Sequence, residues 1–313
     1  MNGLELARAY FDAFGMPMLR EQFPELLPHV AAGLFGSGSE CFGFDDEISR
    51  DHDFEPGFCL LLPGEDVVDR RAAFLLERAY AKLPREFMGL RRGLMAPAGG
   101  PRRGVLRAAE FFLDKVGSGD GVLTLGQWLS LPAHALAEAV NGAVFYDGSG
   151  AVTAVRARLA AYPEDVRRKK LAGHMMLMAQ SGQYNYARCL AHGETGAAQL
   201  AAVEFARHAM AAVFLLNGVY QPYYKWAFRA MRGLPRLALL AELLEYLLTT
   251  DNDGALAAAK ADVMAGMAAD IIGEVTAQGL SRATCGELEG HARSVNDGIA
   301  DPRLRNMNLL AAV

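Results

Sequence analysis

Cysteine is scarce in this chain. Cys41, Cys59, Cys189 and Cys285 lie far apart and form no C-x-x-C pair. A zinc site or a disulfide framework is therefore not expected, and reduced, partly buried thiols are. Long apolar runs are lacking too, since none reaches the ~18 residues that a membrane-spanning helix needs. The first residues, "MNGLELARAYFDAFG", carry no basic start and no small-residue cleavage site. No secretory signal is expected, and the chain reads as cytoplasmic. An excess of positive charge is also absent: 31 basic residues face 36 acidic ones, for a net charge of −5. That balance disfavours nonspecific binding to nucleic acid or to an anionic membrane. Two local basic clusters, Arg102-Arg103 and "RRKK" at 167–170, read as solvated helix faces.

What is present is apolar material. At 52% hydrophobic over 313 residues, the chain can build one large domain or two of ordinary size. The N-terminal part mixes helix and strand patterns. Residues 3–14 and 17–27 read as helices, and "HVAAGLF" at 29–35 as a short buried strand entering glycine. "DHDFEPGFCLLLP" at 51–63 reads as a second strand, with Pro56-Gly57 marking a bulge. A 3.6-residue period runs from Glu65 to Leu83, 96–104 is a loop, and "VLRA" and "AVFYD" are further strand candidates. Beyond residue 150 strand patterns vanish, and helical ones follow at 150–161, 163–180, 184–192, 195–217, 222–232, 235–249, 253–278 and 284–295. The expected architecture is an α+β head over 1–148, a small mixed sheet with flanking helices, followed by an all-α helical bundle over 149–313.

The stretch "GSGSECFGFDDEISRDHDF" at 36–54 concentrates the chemistry. In an extended segment Asp51 and Asp53 share one face, with Cα atoms roughly 6.5 to 7 Å apart. Two carboxylates so spaced can lean onto one or two Mg²⁺ ions, which prefer hard oxygen ligands shared with phosphates. Gly36-Ser37-Gly38-Ser39 supplies a backbone that a triphosphate can approach closely, with N–H and hydroxyl donors for its oxygens. Asp45, Asp46 and Glu47 read as a solvated loop. His52, between Asp51 and Asp53, is expected to point away from the metal face.

The order of an apolar strand, Gly36-Ser37, thirteen residues and then Asp51-His52-Asp53 resembles the signature of the polymerase-β-like nucleotidyltransferase superfamily. That superfamily includes the antibiotic and the minimal nucleotidyltransferases. Downstream, "AYPEDVRRKKLAGHMMLMAQSGQYNYARC" and "LLNGVYQPYYKWAFRAMRGLP" resemble a bacterial family called only nucleotidyltransferase-like, in which a helical domain of unassigned function follows such a head. The likeness covers residues 30 to about 237. It implies a mixed-sheet head that binds a nucleoside triphosphate with Mg²⁺, Gly36 and Ser37 on the phosphates and Asp51 and Asp53 on the metal. The superfamily usually adds a third carboxylate from a neighbouring strand, as metal ligand or general base. Here "GVLRAAEFF" has Leu106 and Arg107 where that acid is expected. Glu110 is the nearest candidate, and Asp147 is a second.

In the helical part, "GQYNYARC" and "YQPYYKWAF" gather tyrosines with polar tips that a dry core would leave unpaired. Tyr184, Arg188, Tyr224 and Lys225 are accordingly candidates for a nucleotide-binding wall, the cations for phosphates and the rings for stacking. Lys169, Lys170 and His174 are weaker candidates. The expected activity is Mg²⁺-dependent transfer of a nucleoside monophosphate, AMP from ATP being favoured, to a hydroxyl of a small-molecule, protein or RNA acceptor that the sequence does not name. The alternatives are a degenerate module that binds nucleotide or a partner without transfer, and by analogy alone a scaffold. So many apolar helices could also leave a face for a homo-oligomer.

Overall fold

The computed structural model describes residues 1–47, 54–92 and 103–313. The chain divides into two compact units, residues 1–124 with 131–160, and residues 125–130 with 161–313. The segment 125–130 thus belongs to the second unit and the helix that ends at Arg158 to the first, whereas composition alone places them the other way.

The first unit is a mixed α/β assembly around a small sheet. Helix α1 (Gly3–Tyr10) starts in a capping box, in which Asn2 accepts from the Glu5 amide and the Glu5 side chain accepts from the Asn2 amide. A π-helical turn, Phe11–Gly15, carries the chain without a break into α2 (Met16–Gln22). Strands β1 (Ala31–Leu34) and β2 (Cys59–Leu62) follow, then α3 (Arg70–Ala81), which Asp69 caps. A short hairpin, β3 (Glu86–Phe87) and β4 (Leu90–Arg91), precedes β5 (Gly104–Arg107), which runs directly into α4 (Ala108–Val116).

After α5 (Leu125–Ser130), the elements α6 (Ala133–Val140), β6 (Ala143–Asp147) and α7 (Ala151–Arg158) complete this part of the chain. The sheet order is β5-β2-β1-β6. β1 is antiparallel to β2 and β6, and β2 is parallel to β5. β1 and β2 are buried along their whole length, as their continuous apolar runs require. Under them packs an aromatic core of Tyr10, Phe11, Phe58 and Tyr80.

Two expectations are corrected here. Within the described part of the expected strand 51–63, residues 54–58 are irregular and the strand runs over Cys59–Leu62, while 51–53 lie outside the described residues. Proline and glycine at 56–57 account for the late start, because Pro56 has no amide to give a ladder. Phe58 satisfies its backbone elsewhere: its amide donates to Tyr80 Oη at 3.1 Å, and its carbonyl accepts from that hydroxyl at 2.8 Å. Residues 124–141, without an assigned helix in the sequence reading, hold α5 and α6.

The second unit is all helical. It contains α5, α8 (Glu164–Met178), a π-helical turn over Ala179–Asn185, α9 (Tyr186–Ala191) and α10 (Thr195–Leu216). Then come α11 (Tyr224–Arg232), α12 (Leu240–Thr249), α13 (Gly254–Ala277), α14 (Leu288–Asp297) and α15 (Pro302–Asn306). α10 packs against α8, α9, α12 and α13, with Phe205, Ala209, Val213 and Leu216 fully enclosed. A helix apolar around most of its girth belongs in such a position. Among the described residues it is also the one helix long and apolar enough to cross a membrane, and 61% of that apolar window is buried inside the fold.

The "RRKK" run is not a solvated face. Lys169 is fully buried and Lys170 nearly so. Lys169 Nζ donates to Asn296 Oδ1 at 2.9 Å and to the Met307 carbonyl at 2.8 Å. Lys170 Nζ donates to the carbonyls of Leu129 (2.8 Å) and Ala312 (3.2 Å) and lies 5.5 Å from the Tyr162 ring centroid. Neither lysine makes an ion pair among the described residues. Both act as multi-point donors, to three backbone carbonyls and the Asn296 side-chain oxygen. Arg103 of the other basic cluster is also enclosed, whereas Arg102 lies outside the described residues.

Burial without an anion lowers the Lys170 amine from 10.5 to about 8. The unfolded chain therefore holds more protons than the folded one between pH 8 and 10.5, so stability rises with pH across that window. The unfolding free energy of the wild type, minus that of Lys170→Met, should grow by up to about 3 kcal/mol from pH 8 to 10.5 in denaturant titrations. A flat difference would show that the amine is already solvated in the native state.

Candidate functional site

The glycine turn leaves the sheet at the end of β1, beside the point where β2 enters, since Gly33 pairs with Cys59. Gly36 has φ +102° and Gly38 φ +127°, conformations that side chains strongly disfavour. A Cβ on Gly38 would also lie 2.6 Å from the Glu40 carboxylate. The turn is fastened at several points. Asn141, just past α6, accepts from the Gly36 amide and donates to the Gly36 carbonyl, both at 2.8 Å. Cys41 Sγ donates to the Ser37 carbonyl at 3.8 Å.

Beside this turn a cavity of about 320 Å³ is lined by Phe35, Gly36, Ser37, Cys59, Leu106 and Arg107. Glu110, Phe111, Asp114 and Lys115 of α4 close its other side. Three sequence-predicted residues therefore meet in one place: Gly36, Ser37 and Glu110. Glu110 sits in the first turn of α4, where the helix dipole favours a carboxylate, and is exposed. Arg107, where an acid is expected, donates from Nη1 to the carbonyls of Pro63 (2.7 Å) and Val68 (2.8 Å). It braces the chain that leaves β2. Cys59 is buried, and burial pushes its thiol up to about 12, which disfavours the thiolate.

Ser39 and Glu40 begin a short 3₁₀ turn at the foot of the glycine loop. Glu40 is buried and paired with Arg103 Nη2 at 3.3 Å, and the same guanidinium reaches Glu55 at 3.5 Å. Arg103 thus ties the residue after the glycine-serine turn to a residue two positions past Asp53. Asp51 and Asp53 themselves lie outside the described residues, as does His52. Asp45 accepts from the Gly3 amide at 2.7 Å, which anchors the other flank of that segment to α1.

Asp147, the second candidate for a third acid, accepts from the amide and hydroxyl of Thr153 at 2.8 Å and serves the start of α7. Glu138, Lys115, Asn141 and Arg103 were not legible as site residues. Glu138 is the sole carboxylate of α6, "AHALAEAV", whose other polar side chain is His134.

The residues predicted in the helical unit form two local clusters. Arg188 donates to Tyr184 Oη at 2.9 Å and stacks 4.9 Å from the Tyr184 ring centroid. Tyr224 lies against Tyr223 with ring centroids 4.3 Å apart, and Lys225 caps the Trp226 face at 4.9 Å. Tyr184 and Tyr224 are exposed. A separate cavity of about 330 Å³ in this unit is lined by Leu177, Gln180, Asn185, Cys189, Leu200, Glu204 and His208. Behind it His174 and His208 share a 2.9 Å contact between their Nδ1 atoms. Burial, with the neighbouring His208, lowers His174 to about 3 and keeps it neutral.

A family described as a domain of unknown function (DUF4037) matches residues 128–227. The matched stretch contains Glu138 and Asn141 of the first unit and Tyr184, Arg188, Tyr224 and Lys225 of the second. It does not reach the glycine turn or Asp51 and Asp53. No curated protein and no solved structure matches the chain.

Arg103 neutralises a carboxylate that has little access to water. Replacement by leucine leaves Glu40 buried without its cation, a loss on the order of 3–5 kcal/mol. Arg103→Leu should therefore unfold the first unit in much less denaturant than the wild type, and Arg103→Leu with Glu40→Gln should regain part of the loss. A single variant as stable as the wild type would show that Glu40 is satisfied without Arg103.

Proposed function

We propose that the first unit is a nucleotidyltransferase head. In this reading the glycine turn and Ser37 receive the phosphates of a nucleoside triphosphate, ATP being favoured. Asp51 and Asp53 would hold Mg²⁺, which would screen the phosphate charge. Among the described residues no group of three or more His, Cys, Asp or Glu is placed to hold a metal, so the described part of the cavity does not make a Mg²⁺ site by itself. The acceptor hydroxyl oxygen attacks the α-phosphorus, the bond to the bridging oxygen of the β-phosphate breaks, and pyrophosphate leaves. Glu110, on the open rim, takes the hydroxyl proton.

The observation that carries this reading is the Arg103 bridge. One buried guanidinium joins Glu40, at the foot of the glycine turn, to Glu55, just past Asp53. The foot of the glycine turn and Glu55 are therefore neighbours through Arg103, and this proximity supports the reading. The cations Arg107 and Lys115 on the cavity wall suit a polyanionic substrate. The acceptor is a small molecule, a protein or an RNA.

A second reading, binding without transfer, draws on Arg107. This strand position bears a cation committed to two carbonyls, and the nearest acid, Glu110, lies on the following helix.

The two readings separate on one assay. With ATP, Mg²⁺ and a lysate fraction as acceptor source, transfer releases pyrophosphate, and Asp53→Ala should reduce that release at least a hundredfold. Glu110→Gln should lower it by roughly 10²-fold, the scale of a lost general base. A Mg²⁺-dependent thermal shift with ATP but no pyrophosphate would support the binding module. Failure of ATP, GTP, CTP and UTP to shift the melting curve, with Mg²⁺ or Mn²⁺ present, would sink both.

A further inference from the structure

Ser37, Lys115 and Glu138 close a triangle at the wall of the head cavity. Ser37 Oγ donates to Glu138 Oε2 at 2.7 Å. Lys115 Nζ donates to the same oxygen at 2.8 Å and to Ser37 Oγ at 3.0 Å. Lys115 also has Asp114 Oδ2 at 3.9 Å. The side chains of Lys115 and Glu138 are only 18% and 17% exposed, so their attraction is less screened than that of a surface pair.

One carboxylate oxygen thus collects a hydroxyl and an ammonium donor beside Gly36 and Gly38, both at positive φ. Those are the donors that a phosphate oxygen needs. The helices that carry Lys115 and Glu138 pack on each other, and Asn141, one residue past α6, clamps Gly36 from the same side. The carboxylate therefore reaches the donors from a framework that also holds the turn.

We propose that Ser37 and Lys115 form an anion subsite that takes a terminal phosphate, and that Glu138 fills it as an internal competitor until a polyphosphate displaces it. The identity of the anion as the triphosphate of a nucleotide rests on the nucleotidyltransferase reading, whereas the subsite itself rests on the triangle. Binding exchanges one anion for another at the ammonium. Affinity for polyphosphate is consequently set by a competition inside the protein. No covalent step is involved.

Calorimetric titration of the full chain with sodium tripolyphosphate, and separately with ATP and Mg²⁺, tests the subsite. Glu138→Gln keeps the shape and removes the charge. It should bind tripolyphosphate more tightly on the order of tenfold, the scale of one charge-assisted hydrogen bond. Lys115→Met should bind at least tenfold more weakly than the wild type. Circular dichroism and melting curves establish that each variant folds. If Glu138→Gln is misfolded, Glu138→Ala replaces it with the same expected sign.

Equal or weaker tripolyphosphate binding by the folded Glu138 variant overturns the competition, even where ATP binds and transfer proceeds. Tighter tripolyphosphate binding by that variant, with no ATP binding by any protein, upholds the subsite while the nucleotidyltransferase reading falls. No binding of either probe to any of the proteins overturns both.

Discussion

The first unit depends on charge that has been taken out of water. Arg103 lies just before β5 and meets Glu40 and Glu55, which the chain places fifteen residues apart. A guanidinium can serve two carboxylates because its donors fan out in one plane. The Glu40 carboxylate, once buried, cannot be left alone, and this penalty makes the contact specific as well as cohesive. Through it the foot of the glycine turn, the approach to β2 and the start of β5 are held as one object. The turn is then completed from the opposite side by Asn141, which satisfies both the amide and the carbonyl of Gly36.

The helical unit uses buried charge differently. Lys169, Lys170 and Lys260 donate to carbonyls and side-chain amides, and none of the three pairs with a carboxylate at ion-pair distance among the described residues. Each ammonium gathers chain segments far apart in sequence. Lys260, for example, holds the Thr250 carbonyl and Gln199 Oε1, and its amine stands 6.0 Å from the Tyr186 ring centroid. Depression of these amines is the electrostatic cost of that arrangement, and it is largest for Lys170. Around them the core is alanine-rich, which lets α10 approach its neighbours closely.

The site was partly legible. Apolar runs ending in glycine pointed to β1 and to the turn that follows, because a buried strand must be apolar on both faces and a tight exit needs positive φ. Glu110 was found by its nearness to a missing strand acid, and it does reach the cavity that Gly36 and Ser37 share. Lys115, Glu138 and Arg103 escaped because their role comes from partners 23 to 101 residues away, a separation across which sequence periodicity carries no information. "RRKK" misled for the same reason. Four consecutive cations look solvated until the carbonyls that receive the two lysines are known.

Sequence alone determined the succession of a short-stranded head and an all-helical body, because hydrophobic period and Gly/Pro breaks are local properties. It also singled out the glycine-serine turn at 36–39 and the acids near it as the residues to look at. Tertiary structure decided which of them meet: that Ser37 is claimed by Glu138 and Lys115, that Arg107 is spent on two carbonyls, and that two lysines of a charged run are interior. The physical reason is common to all three. A polar side chain takes its role from whichever donor or acceptor replaces water beside it, and folding, not neighbouring sequence, chooses that replacement.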